Sequence, residues 1–308
     1  MKTLHTLIFC LIISFVQAQT FEELIQQADQ MYKEENYSGS AETYHEALKL
    51  KEGSAYQYYN AACSYALSGN KGQAMEYLNR SADKGWMNIK HLKRDKDLAT
   101  LHAEPGWMEV LEKVQANLDV YEKDFDKPLK AKLENIYVRD QTLRQLYNEA
   151  EEKFGEGSDE MNYFWQLVSE QDSINELEVV KILAERGWVG RSQVGGQANM
   201  ALWLVIQHAP LEMQEKYLPL LKASVMEGES QGSHLAMLED RILMFSQKPQ
   251  TYGSQIVPDE ATGKMKVYEI WEPEYVNQRR KEVGLGPIED YISRWGIEWT
   301  IEQKEKLQ

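Results

Sequence analysis

Residues 21–50, FEELIQQADQMYKEENYSGSAETYHEALKL, and residues 55–84, AYQYYNAACSYALSGNKGQAMEYLNRSADK, carry one pattern twice. Leu24, Ala28, Met31, Ser40, Tyr44 and Ala47 recur as Tyr58, Ala62, Tyr65, Ala74, Leu78 and Ser81, each pair displaced by 34 residues. Small residues recur where two helices must cross closely, and large ones recur at the faces between them. A fixed period of this length marks a repeated supersecondary unit that buries its apolar face by stacking on its neighbours.

The period and the small/large alternation across residues 21–88 resemble the tetratricopeptide repeat, a helix–turn–helix unit, with Gly69 of Ser68-Gly69-Asn70 in the turn. The proline that usually ends such a unit is missing. Because two repeats seldom bury enough surface, the stretch from Gly85-Trp86 to Leu111 is expected to add a third layer. It offers Leu92, Leu98, Leu101, Trp107 and Leu111, with Pro105 breaking it before another helix. Its Gly85-Trp86 … Asp95-Lys96-Asp97-Leu98 resembles the ending that closes such modules in exported bacterial proteins.

The module is therefore set at 19–118, followed by a charged linker at 119–128 that ends in Pro128. A mostly helical domain is expected over 129–296, with a tail at 297–308. Within it a long helix is expected from Leu129 to about Phe154, then a break at Gly155–Ser158. Ser173-Ile174-Asn175-Glu176 reads as a capping box opening a helix that Gly187 ends. Met200 to Ile206 is apolar on every side, the mark of a central helix, and Pro210 stops it just after Gln207-His208. Helices at 211–226 and 233–246 follow, then a hairpin of Thr251–Val257 with Lys264–Ile270, then helical patterns at 274–282 and 287–295. The fold class is thus mainly α, with helical hairpins first and a compact helical domain bearing a small β-hairpin second.

At the N-terminus, Lys2, the apolar run Leu7–Val16 and the small residue Ala18 before Gln19 form the anatomy of a secretory signal peptide over 1–18. Export, to the periplasm or fully outside, is the expected localisation, with no membrane insertion after cleavage. Cleavage would leave Cys63 as the one cysteine, so no internal disulfide is expected. A formal charge of −15 repels phosphate backbones, so nucleic acid is not an expected partner. No His-Glu-x-x-His, paired Cys, P-loop, Gly-x-Ser-x-Gly or Gly-x-Gly-x-x-Gly occurs, so no metal and no cofactor is expected.

The candidate site lies in the second domain. Asp140-Gln141-x-x-Arg144, Gly187-Trp188, Gln207-His208-Ala209, Asp240-Arg241, Tyr252-Gly253-Ser254-Gln255 and Arg279-Arg280-x-x-x-Gly284-Leu285 occur in this order. Over roughly 130–292 the set resembles a bacterial domain-of-unknown-function family, number 6624. Pro210 stands where the family has Asp after Gln-His-Ala, and Ser254 stands for its Thr. The resemblance implies a shared fold and a shared site, and no reaction.

His208 reads either as a histidine tied to the last helix carbonyls or as an acid/base group facing a pocket. Asp240 sits on a helix apolar on both sides, so its carboxylate needs a partner. Arg139, Arg144, Arg279, Arg280 and His208 are the candidates, in an ion-pair network or as a catalytic pair. Two functions follow. The first is an exported binding or adaptor protein whose repeat module takes a protein or peptide partner. The second is a hydrolase- or lyase-type enzyme with His208 and Asp240 catalytic. Asp140, Gln141, Arg144, Gln207, Arg241, Tyr252, Ser254, Gln255, Arg279 and Arg280 would then line its ligand site.

Overall fold

The structure is a computed structural model, and it describes residues 19–305. The signal-peptide reading, on residues 1–18, lies outside the described residues. The chain divides into two compact units, one ending at Lys123 and the other beginning at Asp124.

The first unit opens with two helical hairpins of tetratricopeptide-like form. Helix α1 (Phe21–Lys33) pairs with α2 (Tyr37–Leu50), and α3 (Ala55–Leu67) with α4 (Lys71–Asp83). The 34-residue period reaches down to the caps. Thr20 and Ser54 each close a capping box, with Glu23 and Gln57, while Asn36 and Asn70 each accept an N–H at the start of the second helix. Ala28, Ala62 and Ala74 are fully buried where the helices cross. The small polar residues at such positions satisfy themselves. Ser40 donates to the Ala28 carbonyl at 2.8 Å and meets the Ser64 hydroxyl at 2.9 Å, and Ser81 donates to the Ala55 carbonyl at 2.7 Å. Helix α5 (Ile89–Arg94), a short 3-10 turn at Ala99–Leu101 and α6 (Trp107–Tyr121) complete the unit, burying Leu92, Leu98, Leu101 and Trp107 in the same core.

The second unit is built around one helix. Asp126 caps α7 (Lys127–Gln145), which gives way at Leu146 to the short α8 (Tyr147–Phe154), so the helix expected to run from Leu129 to Phe154 is two. Helix α9 (Asp159–Arg186) starts at the Ser158 cap and runs unbroken to Gly187. This corrects the helix start read at Ser173, whose hydroxyl bonds the Ser169 carbonyl one turn back inside the helix. After the single turn α10 (Arg191–Val194) comes α11 (Gly196–His208), which packs against α7, α9, α12 (Leu211–Met226) and α13 (Gly232–Phe245). Leu202, Val205 and Ile206 of α11 meet Leu133, Ile136, Val179, Leu183, Leu221 and Leu238 in the core.

Strands β1 (Ile256–Pro258) and β2 (Met265–Val267) pair antiparallel, Ile256 opposite Val267. The hairpin is shorter than its β-prone sequence, because residues 251–255 are engaged elsewhere. Helices α14 (Val276–Glu282) and α15 (Ile288–Ile292) bury Val276, Ile288 and Ile292 in a small second cluster with Ile270. The stretch expected as a tail packs back. Ile297 and Trp299 join that cluster, the Gln303 amide bonds the Asn277 N–H and the Pro273 carbonyl, and the Lys304 N–H donates to Glu274. Apolar Ile297 and Trp299 explain why this end does not stay in solvent.

Candidate functional site

Pro210 ends α11 and leaves His208 on its last turn, facing Asp140 of α7. The imidazole Nδ1 lies 3.0 Å from Asp140 Oδ1, and Asp140 is buried. Burial pushes the Asp140 carboxyl up. The bond to His208 and the nearby Arg144 charge outweigh it and hold the group below the usual carboxylate range. An ionised carboxylate only accepts, so Nδ1 carries a proton, and in the neutral imidazole Nε2 presents the lone pair. Gln141 donates to the other Asp140 oxygen at 2.7 Å. Arg144 reaches over both neighbours, donating to the Asp140 carbonyl at 2.9 Å and to both oxygens of Asp172 at 2.8–2.9 Å.

His208 stands on the wall of a cavity of about 560 Å³, with Gln207, Gln214 and Arg241 and with Ser169, Asp172, Ser173 and Glu176 of α9. A smaller recess beside it is lined by Asp140, Asp172, Asn175, Glu176 and His208. Asp172, Asn175 and Glu176 were missed in the sequence. The polar run Ser169–Glu176 looks like a helix start, whereas it is one face of a continuous helix, at i, i+3, i+4 and i+7, turned to the cavity. Atoms of Asp140, Asp172 and His208 lie within 4.8 Å of one another, a spacing a metal ion could use. Arg144 already supplies a cation to both carboxylates there.

The other expected site residues form a separate cluster. Asp240 of α13 is fully buried, and its partners are backbone N–H groups rather than an arginine or His208. Thr251, Tyr252 and Ser254 donate to it at 2.7, 2.9 and 2.9 Å. Burial pushes the Asp240 carboxyl up, against those bonds. The same loop is gripped from its carbonyl side. Arg279 Nε donates to the Thr251 carbonyl, Arg280 to the Tyr252 carbonyl, and the Tyr291 hydroxyl to the Ser254 carbonyl, each at 2.8 Å. Gln250 closes the ring, accepting from the Gln255 N–H and donating to the Gln255 and Tyr268 carbonyls. Tyr252, pushed up to about 12 by burial and by the Glu239 and Asp240 charges, keeps its proton near neutrality. Tyr252, Ser254, Arg279 and Arg280 are therefore loop fasteners in this structure. Gln255 links the two clusters, its Oε1 lying 3.4 Å from Arg241 Nε.

A second cavity, of about 530 Å³, lies in the repeat unit. Tyr32, Tyr56, Tyr59 and Trp86 line it with Asp29, Asp95, Asp97, His91 and Cys63, and Lys33 stands on the same wall. Trp86 stacks on Tyr59 with 4.2 Å between ring centres. The tyrosine hydroxyls donate to the acids: Tyr59 to Asp95 at 2.7 Å, Tyr32 to Asp97 and Tyr44 to Asp29. Burial, then the carboxylate each one bonds, pushes these phenols up, and burial raises the Cys63 thiol too, so all stay protonated. Among the described residues no Lys or Arg forms an ion pair with Asp29, Asp95 or Asp97.

A family model described as "Family of unknown function (DUF6624)" matches residues 127–301, a span that takes in the His208 cavity and the loop around Asp240. No curated protein and no solved structure matches the chain.

Proposed function

We propose that this chain, which belongs to the Family of unknown function (DUF6624), is an exported binding or adaptor protein whose repeat unit holds a cationic segment of a protein partner. The observation that carries the reading is the chemistry of the repeat-unit cavity. Three carboxylates that form no ion pair with a Lys or Arg among the described residues, Asp95 lying 3.3 Å from His91 Nε2, stand beside a stacked Tyr59–Trp86 pair. Aromatic faces attract ammonium and guanidinium groups, and desolvated carboxylates strengthen that preference. A lysine or arginine side chain supplies both the charge that the acids lack and an aliphatic stem for the rings. Helical-repeat stacking supports the same reading, since such arrays present an extended concave face to partners. Lys2, Leu7–Val16 and Ala18 support export, to the periplasm or beyond.

Calorimetry with a lysine–alanine peptide and its glutamate–alanine counterpart tests the proposal. The lysine peptide binds, more weakly as salt rises, and the glutamate peptide does not. Replacing Asp95 and Asp97 together by Asn weakens binding roughly tenfold, the effect of two partly exposed pairs at about 0.7 kcal/mol each. Equal binding of the two peptides, or none by either, overturns the proposal.

A further inference from the structure

The cavity beside His208 contains charge and hydrogen-bonding capacity that the fold itself does not use. Arg241 is mostly buried, and its guanidinium donates to the Gln207 carbonyl at 2.9 Å and approaches Gln255 Oε1 at 3.4 Å. Both acceptors are neutral, and no carboxylate pairs with Arg241 among the described residues. Every other strongly buried charge in this unit is answered. Asp140 has His208 and Arg144, Asp240 has three N–H groups, and Arg280, held like Arg241 by neutral acceptors, in addition feels the negative charges of Asp240 and Glu289. A buried cation without a counter-charge is costly, and an incoming anion relieves that cost.

A second observation is independent of charge. Asn175 has no exposed surface, and among the described residues neither its amide nitrogen nor its oxygen finds a partner, although it lines the recess next to His208. Buried amides left unbonded at both ends are rare in structures and mark places where a polar group is received. Gln207 and Gln214, on the wall of the larger cavity, each leave a buried oxygen unbonded as well. His208 Nε2, facing away from Asp140, has no hydrogen bond among the described residues.

We propose that this cavity binds a small molecule carrying one oxyanion, a carboxylate or a phosphate, which pairs with Arg241 while an O–H or N–H of the same molecule donates to His208 Nε2. Glu176, on the same wall and forming no ion pair among the described residues, repels a second negative charge, so the far end of the ligand is neutral or cationic. Asp140 is a positioning residue. It fixes the imidazole tautomer, and should the ligand proton pass to Nε2, it stabilises the imidazolium formed. A cavity of about 560 Å³ suits a molecule of metabolite size.

The test uses the full chain, titrated with inorganic phosphate and separately with acetate, reading the side-chain NMR signals of Arg241 and His208. Whichever anion chemistry the site takes shifts the Arg241 signals at saturable concentration, and phosphate, which carries an O–H, shifts those of His208 as well. Arg241→Gln weakens that binding about thirtyfold, the equivalent of ~2 kcal/mol for truncating one partner of a buried charge pair. Should Arg241→Gln fold poorly, Arg241→Lys, which keeps the charge but not the fork, serves as the second variant, and it too weakens binding. Failure of both anions to move the Arg241 signals in the wild-type chain, or equal affinity in the Arg241 variants, overturns the proposal. Because the probes are small anions, this result is separate from binding of lysine peptides in the repeat unit.

Discussion

Replacing Asp240 by alanine measures how the second unit holds together. The side chain is fully buried and accepts N–H bonds from Thr251, Tyr252 and Ser254. Alanine leaves three buried backbone donors unpaired, at about 1–3 kcal/mol each. Removing a buried, desolvated carboxylate returns part of that loss, as the upward-shifted Asp240 carboxyl indicates. The net loss expected is about 4 kcal/mol, a large fraction of the ~5–15 kcal/mol that stabilises a domain. Asp240→Asn keeps one oxygen for Thr251 and Tyr252 and sheds the charge, so it loses about half as much. Urea unfolding followed by circular dichroism gives the free energies, and amide hydrogen exchange locates the effect. The Thr251, Tyr252 and Ser254 amides should exchange faster in the alanine variant well before global unfolding. A loss under about 1 kcal/mol, or unchanged exchange at those three amides, would refute the reasoning.

Three further substitutions follow from local geometry. His234 is buried, lies flat on Trp203 at 4.1 Å, and has its pKa lowered by burial to about 4. It is neutral at pH 7, and since the unfolded chain takes up its proton near 6.5, its contribution is intact above that value and is lost as pH falls from 6.5 towards 4. The loss amounts to about 3 kcal/mol. A His234→Phe variant, compared with wild type in urea melts across this window, should lack that part of the pH slope; identical slopes count against it. Glu35 holds φ 60° at the position equivalent to Gly69, φ 86°, so Glu35→Gly should raise stability by about 0.5–1 kcal/mol in thermal melts, and a lower melting temperature contradicts this. Gly253 holds φ 70°, and a Cβ there would stand 2.6 Å from Ile288 Cδ1 and 2.8 Å from Ile270 Cδ1. Gly253→Ala should therefore destabilise by about 3 kcal/mol in the same assay, and a neutral outcome would mean the loop relaxes freely.

The repeat unit was legible because its message is periodic. Residues 34 apart repeat not only the apolar pattern but the caps, so one hairpin predicts the other. The central helix was legible because it lacks a polar face. The site was harder, for two physical reasons. Asp240 announced that it needed a partner, but local sequence names side chains, and its partners are backbone N–H groups of a loop whose path depends on tertiary packing. Asp172, Asn175 and Glu176 carry the composition of a helix start, and only the register of a 28-residue helix turns them to one side. His208 and Asp140 were both singled out, while their pairing across 68 residues was not readable from either motif.

Hydrogen exchange of the whole chain, with and without the lysine–alanine peptide, tests the binding role most directly. Protection should grow across residues 55–67 and 86–97, where Tyr59, Trp86 and Asp95 lie, and stay unchanged across 196–208. Slowed exchange only in the second unit, or nowhere, would contradict a cationic partner held by the repeats.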